Sequence, residues 1–255
     1  MKVFLMLLLL PLGIFAQDGD SLSIKSKHIL SLESILPVKG NKAAAIITPI
    51  AYIGYGFLTF DSDPLKKLDH YISDDLREDH AGSFTHIEDQ LQFVPVASVY
   101  ALGLVGVKGK NNFVDKSAMY FLSNALAGVS VKFIKKQTHK LRPDGSDHLS
   151  FPSGHTASAF VAAEFMSQEY KDVSPWYGIA AYGVATATGG LRIANNKHWF
   201  SDVVAGAGVG ILSTKLTYLA YPLIKRKLFK NQTDLLIVPA YQPGFVSFSM
   251  RVPIR

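Results

Sequence analysis

Phe151-Pro152-Ser153-Gly154-His155-Thr156 is the stretch on which the rest of the chain turns. The spacing predicts a helix over Thr156–Tyr170, with Pro152 at the first helical position, where a missing N–H costs nothing. Ser153, Gly154 and His155 would then present backbone N–H groups at a positive helix end, a seat for an oxyanion such as phosphate. Gly154 lets a ligand approach the backbone. Ser153 adds a hydroxyl, and His155 a proton carrier that works near neutral pH. Alone, the tetrapeptide reads more plainly as a turn before a helix. Its neighbours on both sides change that weighting.

Upstream stand Lys135, six further residues, and Arg142-Pro143; downstream stand Arg192, five residues, His198, three residues, and Asp202. Each cation has a plain reading as a solvated charge, and Lys135-Lys136 also as compensation of a helix dipole. Arg192 follows Gly189-Gly190 in an otherwise apolar region, where an idle arginine is unexpected. His198 and Asp202 are four positions apart, which on a helix puts them on one face. An aspartate that holds one imidazole nitrogen leaves the other free to attack. A surface hydrogen bond or a metal-ligand pair would use the same spacing, but neither accounts for three cations and a phosphate-ready helix start nearby.

Taken together, these three motifs resemble the signature of type 2 phosphatidic acid phosphatases, a superfamily that also holds bacterial acid phosphatases and vanadium haloperoxidases. The signature covers residues 135–202, and the helices from about Gln90 to Ile224 resemble those of exported bacterial members. The resemblance implies that His198 takes the phosphoryl group, Asp202 orients it, and His155 protonates the leaving oxygen and then activates water. It implies that Lys135, Arg142 and Arg192 hold the phosphate oxygens, with Ser153 and Gly154 donating hydrogen bonds, and that no metal or other cofactor takes part. Fixed cations suit phosphoryl transfer, which is mostly positioning and charge stabilisation. Leu191 stands where the family usually has serine, and only eight residues separate Pro143 from Pro152, which leaves little room for a covering insertion.

The expected function is therefore a metal-independent phosphatase acting on phosphate monoesters or pyrophosphates, lipid-linked ones first. A vanadate-dependent haloperoxidase using the same pocket is the alternative, and a non-catalytic membrane or scaffold protein the second. The scaffold reading is disfavoured because unused buried charges are costly.

The remainder of the chain sets the frame. Of its 255 residues 48% are apolar and 18% charged, with a net charge of +6 and no cysteine. The charge suits an anionic substrate or lipid surface. No long basic run or aromatic-basic alternation occurs, which argues against nucleic acid. Without cysteine there are no disulfides and no thiolate metal sites. Lys2, the apolar run Val3–Leu10 and Ala16 give residues 1–16 the pattern of a signal peptide, with a mature chain from Gln17; an uncleaved anchor is the other reading. Residues 17–40 read as a lead-in, 41–228 as the helical phosphatase domain and 229–255 as a tail.

Within the domain, Ala43–Phe60 is uncharged, fit for a short span or a buried helix, with Pro49 inside it. Asp61–Gln90 is acidic and holds His70, His80 and His86. Leu65, Leu68, Ile72 and Leu76 recur at helical spacing, so its charges are assigned to a solvated face rather than to a metal site. Leu91–Val107 is apolar and Lys108-Gly109-Lys110-Asn111-Asn112 a loop. Ser117–Ile134 is one long helix, with Ser123, Ala127 and Gly128 small for packing. A helix from Ser174-Pro175 is expected to break at Gly189-Gly190, and the last helix to run from His198 to about Ile224. Gln242-Pro243-Gly244 separates two β-prone runs, a hairpin signal. The expected fold class is all-α, a bundle of about six main helices with a small C-terminal β-hairpin. The expected place is outside the cytoplasm, as a membrane-associated periplasmic domain or an integral membrane protein with its site facing the periplasm.

Overall fold

The computed structural model of the chain describes residues 42–78 and 86–228 and the strands 236–242 and 245–251. The segments expected to be a signal peptide and a lead-in, and His80, lie outside the described residues. Eight helices are described: α1 (Lys42–Leu58), α2 (Asp63–Glu78), α3 (Glu88–Leu91), α4 (Val94–Leu104), α5 (Phe113–Thr138), α6 (Gly154–Tyr170), α7 (Pro175–Ala194) and α8 (Phe200–Leu228). The fold class is all-α, with more helices than the six expected because the acidic segment contributes two. The chain divides into two units, one up to Leu216 and one from Thr217 onward. The second unit holds the end of α8 and two strands, β1 (Leu236–Gln242) and β2 (Phe245–Arg251), antiparallel with Leu236 opposite Arg251.

α6 is the centre of the first unit. Phe160, Val161, Ala162, Ala163 and Phe165 are fully buried, and the helix is covered on nearly every side. That explains why it shows no polar stripe: a helix surrounded by others has no solvent face to mark. It starts two residues later than it would with Pro152 as its first helical residue. Ser153 is the N-cap, its hydroxyl accepting from the Thr156 N–H, and Pro152 lies outside, after a cis bond to Phe151.

The other ends are capped by local chemistry. Asn112 caps α5 by accepting from the Asp115 N–H at 2.8 Å, and His139 ends that helix in the left-handed region at φ 45°. Pro175 opens α7 behind the Ser174 cap.

Close packing replaces bulk between α6, α8 and α1. A Cβ on Gly206 would stand 2.6 Å from the Ser153 carbonyl oxygen, and one on Gly208 2.6 Å from that of Pro49. Glycines at these places let helix backbones touch. Gly189 explains a departure from expectation: α7 runs unbroken to Ala194 through Gly189-Gly190. Gly189 is small because a Cβ there would meet Val203 of α8 at 2.7 Å, not because the chain breaks. Ser123 and Ala127 of α5 are buried as expected, whereas a Cβ on Gly128 would meet nothing.

By length and composition two helices could cross a membrane, α5 and the Phe200–Lys227 stretch of α8; α5 leaves most of its apolar surface exposed, and most of α8 is buried.

Candidate active site

Four helix ends meet here: the C-termini of α5 and α7 and the N-termini of α6 and α8. α5 carries Lys135 in its last turn and α7 carries Arg192. His198 lies two residues before α8, not on it as expected, because the chain after Arg192 first makes a tight turn. The Lys197 and His198 N–H groups donate to the Arg192 carbonyl at 3.0 and 3.2 Å, with Asn196 left-handed at φ 58°.

Asp202 sits in the first turn of α8 and reaches back to accept from the Trp199 N–H at 2.9 Å, so the residue that faces the histidine also caps the helix. Its Oδ2 is 3.5 Å from His198 Nδ1, and it also accepts from the Ser150 hydroxyl. The His198 ring is therefore held through Nδ1, with Nε2 as its other end. The backbone carbonyl of Asp202 accepts from the Ser153 N–H at 2.9 Å, which locks the start of α6 onto α8. That bond takes one of the N–H groups the sequence left open; those of Gly154 and His155 have no protein acceptor among the described residues.

His198 is 2% exposed, and burial pushes its imidazole down to about 4 from an ordinary 6.5, with the Asp202 carboxylate acting against that fall. It is thus neutral at pH 7. Lys135 and Arg192 are close enough to add to that effect. The Lys135 ammonium donates to the Leu149 and Ser150 carbonyls. Arg142 Nε donates to Asp147 at 2.8 Å, which holds the Asp147 carboxyl below its usual range. Burial, then Arg192, lowers the His155 imidazole.

The segment read as a solvated acidic face contributes most of what sequence reasoning missed. Ile72 and Leu76 are buried as the spacing predicts, but so are Asp69 and Ser73 beside them. Asp69 accepts from the Ser201 N–H at 2.6 Å and the Ser201 hydroxyl at 2.7 Å, and Ser73 from the Phe200 N–H at 3.1 Å. Lys140, one of the six unassigned residues between Lys135 and Arg142, stands between Asp69 at 3.3 Å and Asp202 at 3.0 Å. On α3, Glu88 is fully buried against Arg192 at 3.2 Å and Asn195 at 2.7 Å, and Asp89 is 2.8 Å from His155 Nε2. A carboxylate next to two buried motif residues was the only available signal, and it needed the fold to be read.

Among the described residues no three His, Asp or Glu side chains gather into a metal cage. The arrangement offers a buried neutral imidazole backed by a carboxylate, a second imidazole, three cations and a helix N-terminus. Chemically that is a site for an oxyanion and its transfer.

A sequence model described as PAP2 superfamily matches residues 117–226. A lipid A 1-phosphatase from Porphyromonas gingivalis is 43% identical over 171 residues, which are 64% of this chain and 38% of that protein. The chain thus matches well under half the length of that relative. The crystal structure of a transmembrane PAP2 type phosphatidylglycerolphosphate phosphatase from Bacillus subtilis superposes with a TM-score of 0.51 at 19% identity, over 73% of this chain and 99% of that one. At that identity the likeness speaks for the fold. Every motif residue, from Lys135 to Asp202, lies within the stretch 117–226 that is similar to the PAP2 superfamily.

Proposed function

We propose that the protein is a lipid phosphatase that hydrolyses a phosphate monoester or pyrophosphate through a phosphohistidine at His198. The observation that carries this reading is the buried His198–Asp202 pair at the meeting point of Lys135, Arg142 and Arg192. The two relatives, a lipid A 1-phosphatase and a phosphatidylglycerolphosphate phosphatase, support a lipid-linked substrate.

His198 Nε2 attacks phosphorus while the bond to the leaving oxygen breaks, and that oxygen takes a proton from His155. His155, now neutral, removes a proton from water, which attacks the phosphohistidine; phosphate leaves and the His198 lone pair returns. Lys135, Arg142 and Arg192, with the Gly154 N–H, hold the oxygens whose charge grows in transfer. Asp202 keeps Nδ1 engaged and balances the positive imidazole that forms. Asp89 orients His155. Ser153 acts as the cap of α6 rather than as a free donor. The domain assignments (residues 1–16 signal, 41–228 catalytic, 229–255 a hairpin appendage) and a site facing the periplasm belong to the same reading.

Rapid-quench labelling tests it. Labelled nitrophenyl phosphate should give an acid-labile, base-stable label that maps to His198 and vanishes in His198→Ala. In His155→Ala the label should build up, because this leaving group needs little protonation while water is left without its base. EDTA should not change turnover. Label on His155, or undiminished label in His198→Ala, overturns the assignment.

A further inference from the structure

At the other end of α5 lies a pocket that the phosphatase reading does not use. It measures about 340 Å³ and is lined by Gly103, Lys108, Lys110, Asn111, Asn112 and Lys116, among others. The loop that forms it is built, not loose. The Lys110 N–H donates to the Glu169 carbonyl at 2.9 Å, and Asn111 gives its backbone N–H at 3.0 Å and its side-chain amide at 2.6 Å to the Glu169 carboxylate. The Tyr170 hydroxyl reaches the carbonyls of Val99 at 3.0 Å and Val107 at 3.4 Å. A Cβ on Gly109 would meet the Glu169 carboxylate at 2.9 Å. Glu169 is fully engaged in holding the loop.

Lys116 makes the pocket unusual. The residue is only 7% exposed, yet its ammonium has no carboxylate or carbonyl partner among the described residues. It lies over the Tyr100 ring at 5.4 Å and against Gly103, facing the pocket. A buried lysine without an anion is costly. Beside it are Lys108, Lys110 and the N-terminus of α5, which favours negative charge.

The rim identifies the source of that charge. Leu104, Val105, Phe113 and Val114 are all exposed around the loop. From there Phe121, Leu122, Val129 and Phe133 continue an exposed apolar band along α5 towards Lys135. Lys116 and Lys135 are nineteen residues apart on one helix, about 28 Å at 1.5 Å per residue. That matches a hydrocarbon core of about 30 Å. The two basic ends of α5 are thus one membrane thickness apart.

We propose that this pocket is a second, non-catalytic anion site that holds the phosphate of an anionic phospholipid in the leaflet opposite the catalytic end. The apolar rim would take the first part of the acyl chains, and the lysines the phosphate oxygens. No step of the proposed hydrolysis depends on this site.

The full chain in mild detergent would be titrated with short-chain phosphatidylglycerol, short-chain phosphatidylcholine and inorganic phosphate, followed by native mass spectrometry and the unfolding temperature. Phosphatidylglycerol should bind more tightly than phosphatidylcholine and resist millimolar phosphate. Lys108→Gln with Lys110→Gln, both exposed, should weaken it about five-fold per lysine, with nitrophenyl phosphate turnover unchanged. Lys116→Met should abolish it; if that variant does not fold, the double variant decides. Equal binding in the double variant, equal retention of phosphatidylcholine, or displacement by inorganic phosphate overturns the proposal. Because binding is read without turnover, an inactive but lipid-binding chain would count against the phosphatase reading alone.

Discussion

Replacing Lys140 with methionine removes the cation that stands between two buried carboxylates. Its ammonium is 3.3 Å from Asp69 and 3.0 Å from Asp202, with the side chains of those residues 5% and 0% exposed. At an effective dielectric of about 20 each pair is worth about 5 kcal/mol of attraction before desolvation. The loss on breaking a buried pair is smaller, about 3–5 kcal/mol, because the lysine also regains its hydration cost. The lower end applies here. Asp69 keeps two bonds from Ser201, and Asp202 keeps those from Trp199 and Ser150 on Oδ2, so each carboxylate retains hydrogen bonds even though the buried Asp202 Oδ1 loses its facing cation. About 3 kcal/mol lowers the unfolding temperature by roughly 6–12 °C in a chain of this size.

Turnover should fall too, since the repulsion it leaves turns Asp202 away from His198. Adding Asp69→Asn to Lys140→Met removes one of the two facing charges and should recover about half of the stability. Thermal unfolding of the wild type, both single variants and the double variant measures each corner of that cycle. An unfolding temperature within 1 °C of wild type for Lys140→Met, with full turnover, would refute the reasoning.

Three more outcomes follow from the geometry. Gly206→Ala puts a methyl 2.6 Å from the Ser153 carbonyl, a backbone atom that cannot step aside; it should cost about 1–3 kcal/mol and reduce kcat more than KM, as read by unfolding and steady-state kinetics. His198 has its imidazole lowered to about 4, so the unfolded chain binds its proton first as pH falls. Stability is present above about 6.5 and is lost on the way down to about 4, by up to about 3 kcal/mol; unfolding against pH should show a shallower acid slope in His198→Phe. Asp89 opposes the lowering of His155. Asp89→Asn should therefore move the limb that needs protonated His155 to lower pH, with lipid phosphates affected more than nitrophenyl phosphate; unchanged pH–rate profiles would remove Asp89 from the site.

The sequence by itself determined the motif residues, their order and the all-α class. Those rest on local signals: a cap and turn at Ser153-Gly154, the four-residue step from His198 to Asp202, and apolar runs of helical length. It misread places where a residue serves a partner far along the chain. Gly189 looks like a helix break, but its smallness answers to Val203 of α8. Asp69 and Glu88 look like members of a solvated acidic face, but they are buried against Ser201 and Arg192, more than a hundred residues away. Lys140 sits at a position that the first motif leaves unassigned, and only the convergence of α2 and α8 puts two carboxylates around it. Periodicity reports which face of a helix is apolar; it does not report where a buried charge finds its counter-charge. That is settled when the helices pack, because the cost of burying an ion is offset only by a partner that the tertiary structure brings within about 3 Å.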